Sequence, residues 1–209
     1  LLISSAWEAG LAGAFLITWV WPYALGETAL HHLTFLMLLE FLVIHATGFF
    51  SGLSGGPDGT ETSKQGWRNF RRSNAVIVLA LALCYGVFGM AFSAMYGSLW
   101  PLFALFFVIL PKLPNIFWKP LSGDAQFAAM ANWGIMAALY LFSCLVTVTV
   151  KVPRLGVTPQ AIVRQEFSVE GIWPEEPYRV MAMGVLYFGG LAVVNAVQEI
   201  VAYRRAARG

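Results

Sequence analysis

The sequence predicts an all-α, polytopic helical membrane protein with about six transmembrane helices and a short interfacial helix in the last outer loop. Three observations predict it. The chain is 58% hydrophobic and 11% charged, with a mean hydropathy of +0.68, values that suit lipid as solvent better than a water-soluble core. Six apolar stretches, 8–23, 32–53, 74–95, 99–118, 127–150 and 179–202, approach the ~20 residues that a helix needs to cross the hydrocarbon. Lys and Arg are also divided unequally between the loops that join them. The whole chain, 1–209, reads as a single transmembrane helical domain.

Each element has its own justification. The first stretch is the shortest. It lacks a charged segment before it and a small-residue cleavage site after it, so a retained helix is expected and not a signal peptide. The second is apolar except for Glu40, His45 and a few hydroxyls. A basic loop, 54–73, follows. It opens on the turn-forming run Gly55-Gly56-Pro57-Asp58-Gly59, and the GxxxxGK[ST] pattern of a phosphate loop is absent. It closes on Trp67, Arg68, Phe70, Arg71 and Arg72. Aromatics alternating with arginines suit contact with lipid headgroups, or serve as an ordinary positively charged anchor.

The third stretch carries small residues at Ala82, Gly86, Gly89, Ser93 and Gly97. Gly86, Gly89 and Ser93 are the candidate helix-packing stripe, because small residues let membrane helices approach closely. The fourth contains Pro111-Lys112-Leu113-Pro114, where a kink or break is expected. The fifth and sixth have small residues at Ala131, Gly134 and Ala138, and at Gly189, Ala192 and Ala196. In the outer loop, 151–178, Thr158 and Pro159 suit the cap and first position of a short helix carrying Ile162, Val163 and Phe167 on one side. Pro177 suits the first turn of the last helix, with Glu175 and Glu176 at the positive end of its dipole.

Orientation follows from the cations. With both termini cytoplasmic, Lys64, Arg68, Arg71, Arg72, Lys112, Lys119, Arg204, Arg205 and Arg208 lie inside, against Lys151, Arg154, Arg164 and Arg179 outside. Nine against four favours that topology, and a bacterial inner membrane is the expected location. Trp19, Trp21, Tyr23, Tyr96, Trp100 and Trp173 would mark the outer interface. The net charge of +2 therefore reflects topology and gives no reason to expect a nucleic-acid partner.

Ionisable groups within spans are the strongest functional signal, since each costs about 2.5–3.5 kcal/mol on insertion scales. Counted at about 1.5 Å per residue, Glu40 lies ~13 Å from the outer end, and His45 and Lys112 near ~20 Å. Asn195 is slightly deeper. These four form a candidate polar intramembrane cluster. Lys112 can extend toward Glu40 and pair with it, or burial keeps Glu40 protonated. Glu40 and His45, five residues apart, project about 140° apart on a regular helix and point to different neighbours.

No metal site is predicted. His31, His32 and His45 all belong to the second stretch or its outer end, and Cys84 and Cys144 differ too much in depth for a disulfide. No cofactor is predicted either, although a single intramembrane histidine such as His45 can ligate a pigment or haem. HExxH and SxxK are absent, and no enzyme is expected. The leading expectation is a non-catalytic integral membrane subunit or accessory, scaffolding protein of a larger complex, with the lipid bilayer and other membrane subunits as partners. The alternatives are a small transporter or channel using the Glu/His/Lys cluster, and a pigment- or haem-associated subunit through His45.

Overall fold

The computed structural model describes residues 3–53, 64–96, 99, 102–103, 106, 110, 117, 121–164 and 175–207. Its helices are α1 (Ile3–Val20), α2 (Ala29–Gly52), α3 (Lys64–Tyr96), α4 (Gly123–Thr149), α5 (Pro159–Val163) and α6 (Pro177–Ala206). Among the described residues, four segments are long and apolar enough to cross a membrane: Ala29–Gly52, Ser73–Ala94, Gly123–Thr149 and Pro177–Arg204. This fits an integral membrane protein. The expected span 99–118 lies mostly outside the described residues, as do the 55–59 turn, Gly97, the 111–114 break, Phe167 and Trp173.

Two boundaries correct the sequence reading. The basic segment before the third span is not a loop as far as Ser73, because α3 already begins at Lys64. The reason is local. No proline occurs between Lys64 and Tyr96, and the Lys, Gln and Arg residues there are good helix formers. The backbone at Trp67, Arg68, Phe70, Arg71 and Arg72 is thus helical, while their side chains lie outside what is described. Helix α1 likewise begins at Ile3, ahead of the expected start at Glu8.

The chain divides into two compact units, Leu1–Leu38 with Met136–Gly209, and Leu39–Ile135. In the first, α1 packs on α6. Phe15, fully buried, stacks on Phe188 with ring centroids 5.6 Å apart. It lies so close to Gly184 that a Cβ there would sit 2.2 Å from the ring. Ser5 donates to Glu199 across the same pair of helices at 3.3 Å. The buried Tyr140 of α4 donates to the Met37 carbonyl at 2.8 Å and meets Tyr187 edge-on. Close approach in α6 falls at Gly184 and Gly190, whereas Gly189, expected from the sequence, faces open space.

One end of this unit is closed by its loop, 150–158. Gly156 donates its N–H to the Trp19 carbonyl at 3.1 Å, and the Trp19 indole donates to the Pro153 carbonyl at 3.0 Å. A carbonyl left over by the end of α1 is thereby satisfied. Thr158 caps α5, its hydroxyl accepting from the Ala161 N–H at 3.3 Å, with Pro159 in the first turn.

Arg179, in the first turn of α6, donates to the Thr147 carbonyl at 2.6 Å and to the Val148 carbonyl at 3.3 Å. A cation at a helix N-terminus is unfavourable, but here it meets the negative C-terminal end of α4. Glu176 anchors it, accepting from the Tyr178 hydroxyl and from the guanidinium. These bonds, Tyr178 first and then Arg179, hold the Glu176 carboxyl below its usual range.

The sign of the pH effect follows. A depressed carboxyl contributes stability that is fully present above its unfolded value, about 4.3, and is lost as pH falls through the lower folded value. Melting midpoints in detergent should therefore drop as pH falls below about 4. Glu176→Gln should lower the neutral-pH midpoint and make the acid limb shallower. An acid limb unchanged by the substitution would refute the assignment.

Candidate functional site

The second unit, built from the later part of α2, from α3 and from the start of α4, places an ionisable side chain on an apolar groove. Its construction begins with the α2–α4 seam. Gln126 and Trp133 are seven residues apart, so they share one face of α4. Gln126 donates to the Gly52 carbonyl at 2.9 Å, and Trp133 donates through Nε1 to the Ile44 carbonyl at 3.0 Å. On the α3 side, Asn74 donates to the Leu53 carbonyl at 3.3 Å. Side-chain amides from two helices thus satisfy the terminal carbonyls of α2 that its own ladder leaves open.

Gly48 makes the Trp133 contact possible. A Cβ at that position would lie 2.5 Å from both Cε2 and Nε1 of the indole, so the ring rests directly on the α2 backbone. Beside this contact opens a part-open groove with a cavity volume of about 410 Å³. His45 and Phe49 line it from α2, Ile77 and Leu81 from α3, and Met130 and Trp133 from α4. Two of its lining residues carry side-chain polar atoms, His45 and Trp133, and the Trp133 N–H is already donated.

His45 is exposed and fixed at one edge. Its Nδ1 lies 2.7 Å from the Phe41 carbonyl, and its ring tilts against the Phe41 ring with centroids 4.1 Å apart. A carbonyl only accepts, so Nδ1 carries the hydrogen. In the neutral ring Nε2 then holds a lone pair directed away from the helix backbone.

The other expected site residues are distributed differently. Glu40 is half-buried on α2, in the same unit as His45. Asn195 is half-buried on α6 and belongs to the first unit. Lys112, the proposed partner of Glu40, lies outside the described residues. Of the four, Glu40 and His45 are brought into one unit.

The stripe on α3 divides. Gly89 and Ser93 are buried with Tyr85 on the inward side. Gly86 is half-buried with open space around it, and Ala82 is exposed. Both cysteines are free, and among the described residues no group of three or more His, Cys, Asp or Glu side chains gathers to hold a metal.

Sequence reasoning missed three features. Glu8, the first residue of the expected first stretch, has a buried carboxylate oxygen without a hydrogen-bond partner among the described residues. The donors Gln126, Trp133 and Tyr140 were legible as polar-capable residues at intervals of seven, but their backbone acceptors were not. The groove beside Gly48 depends on tertiary packing alone. Comparison with known proteins adds nothing to this geometry, since no family model matches the chain and neither a curated protein nor a solved structure is similar to it.

Proposed function

We propose that the protein is a non-catalytic integral membrane subunit, an accessory or scaffolding component of a larger membrane complex. The reading takes about six spans with both termini cytoplasmic, in a bacterial inner membrane. The supporting observation is how little of α3 the described residues cover. In its most apolar window 11% of residues are buried, against 50% in that of α2. Leu79, Leu83, Val87 and Met90 stand in the open.

Lipid alone satisfies such a face. Ala82 and Gly86, one turn apart beside these residues, add a shallow strip where the backbone of a neighbouring helix can come close. The buried position of Gly89 decides how to test this. Leucine at Gly89 perturbs the chain's own packing, whereas Gly86→Leu adds bulk into open space. Gly86→Leu is expected to leave the stability within about 0.5 kcal/mol of wild type and to reduce cross-linking to neighbouring membrane proteins in native membranes. Equal cross-linking by both chains would remove this surface from the proposal.

The orientation rests on the nine-to-four division of Lys and Arg, for which the positive-inside rule is the argument. After replacement of Cys84 and Cys144, single cysteines at Gly59 and Gly171 should react with impermeant reagent from opposite faces of the membrane. Reaction of both from one face would refute the topology.

A further inference from the structure

We infer that the cap over one end of the first unit, formed by the 21–28 turn, the 150–158 loop and α5, binds the headgroup phosphate of an anionic phospholipid, with Arg154 and Arg164 as the donors. This goes beyond the subunit reading and depends neither on it nor on which way the chain faces.

The inference starts from the two arginines. Both are exposed, and each is held against an aromatic ring. Arg154 lies 5.4 Å from the centroid of Tyr178, and Arg164 lies 5.9 Å from that of Tyr23. Stacking engages the face of a guanidinium and leaves its edge N–H groups open. Among the described residues neither arginine donates a hydrogen bond or joins a salt bridge. Glu176, the carboxyl that feels the charge of Arg154, is already engaged by the Tyr178 hydroxyl and by Arg179. Planar donors fixed in place and unengaged suit phosphate oxygens, which a guanidinium meets two at a time. Glu27 and Glu175 stand at the same end, so the cap attracts through two placed guanidinium groups and not through a large net charge.

Exposed apolar side chains decide which phosphate. Leu155 follows Arg154, Val163 precedes Arg164, and Trp21 stands two residues before Tyr23; they are 53%, 76% and 66% exposed. A water-soluble anion offers nothing to such neighbours, whereas a lipid brings apolar surface along with its headgroup. Leu155 is the sharpest case. The Val157 N–H donates to the Arg154 carbonyl at 3.0 Å, and at the first corner of that turn Leu155 has a φ of 49°, which favours glycine. A bulky side chain is held there at a backbone cost yet adds nothing to the core, which points to a use outside the chain. The cap also adjoins the ends of the span-capable helices α4 and α6, the level at which aromatic and basic side chains meet headgroups.

The test is a lipid titration. The full chain, stripped of lipid in mild detergent, should bind one phosphatidylglycerol more tightly than phosphatidylcholine in native mass spectra. Arg154→Gln or Arg164→Gln should weaken that binding about fivefold and the double variant about twenty-five-fold, which corresponds to ~1 kcal/mol per cation. Leu155→Gly relieves the turn, so it should keep or raise the melting midpoint while weakening lipid binding. That separates lipid contact from folding.

In native membranes, a benzophenone side chain placed at Val163 should cross-link to phospholipid on illumination. Equal affinity for the two lipids overturns the proposal, as does binding indifferent to the double arginine substitution. Displacement of the lipid by inorganic phosphate, with Leu155→Gly binding as tightly as wild type, means a free-anion site and also overturns it. So does a Val163 cross-link that captures an acidic protein in place of lipid.

Discussion

Gly156→Ala is expected to destabilise the protein by about 3 kcal/mol, near the upper end of what overpacking does. A Cβ at Gly156 would lie 1.9 Å from the Val20 carbonyl oxygen and 2.7 Å from its carbonyl carbon. Both are main-chain atoms at the end of α1, so no rotamer change relieves the clash. The loop must lift, and lifting it breaks the Gly156 N–H bond to the Trp19 carbonyl and the Trp19 indole bond to Pro153. The orphaned α1 carbonyl then loses its partner at the helix end. Melting in detergent measures the loss, and faster tryptic cleavage at Arg154 and Arg164 shows where the chain has opened. Gly10→Ala is the control, because a Cβ there meets nothing within 4 Å. A Gly156→Ala protein as stable as this control would mean that the loop does not close on α1.

The second large effect belongs to Gly184. A Cβ there would approach three ring atoms of Phe15 to 2.2–2.4 Å. The ring cannot retreat freely, being fully buried and stacked on Phe188. Gly184→Ala should therefore cost about 2 kcal/mol, and Gly184→Leu about 3 kcal/mol or loss of the fold. Shortening the opposing side chain tests the cause. Phe15→Leu alone should destabilise by leaving a cavity, but combined with Gly184→Ala it should cost less than the sum of the two, because the smaller residue makes room for the new methyl group. Gly189→Ala, facing open space, should remain within about 0.5 kcal/mol of wild type. Additive losses in the Phe15–Gly184 pair would contradict the α1–α6 contact.

These two glycines show where the sequence stops being informative. Composition and period identify apolar helices, and the ranges 32–53, 127–150 and 179–202 agree within a few residues with α2, α4 and α6. Local chemistry also marks the start of α5, since Thr158 and Pro159 satisfy the cap and first turn by themselves. In α6, however, Gly184, Gly189 and Gly190 look alike in sequence. Which of them meets a neighbour depends on where Phe15 and Leu139 stand in the fold. The same holds for Gly48, whose role depends on a tryptophan 85 positions later (133 minus 48).

The start of α3 was misread because the headgroup-like pattern of Trp67 to Arg72 suggested a loop, although nothing in that segment breaks a helix. The candidate site was half legible. Glu40 and His45 stand out on an apolar helix. The tautomer of His45, the commitment of the Trp133 N–H and the groove between three helices arise from contacts with backbone carbonyls and distant side chains, which residue identity does not encode.

Helices α2 and α6 bury about half of their most apolar windows within the chain, 50% and 44%, while the span-capable windows in α3 and α4 bury 11% each. A scaffold subunit uses bare faces of that kind to meet other membrane proteins, in addition to lipid. Native mass measurement of the tagged chain, extracted from its own membranes in mild detergent after brief cross-linking, tests this directly. The expected particle is a defined assembly much heavier than the 23.0 kDa chain, containing other membrane proteins in fixed ratio and weakened by Gly86→Leu. A particle containing this chain alone, as monomer or homodimer and unchanged by Gly86→Leu, would contradict it.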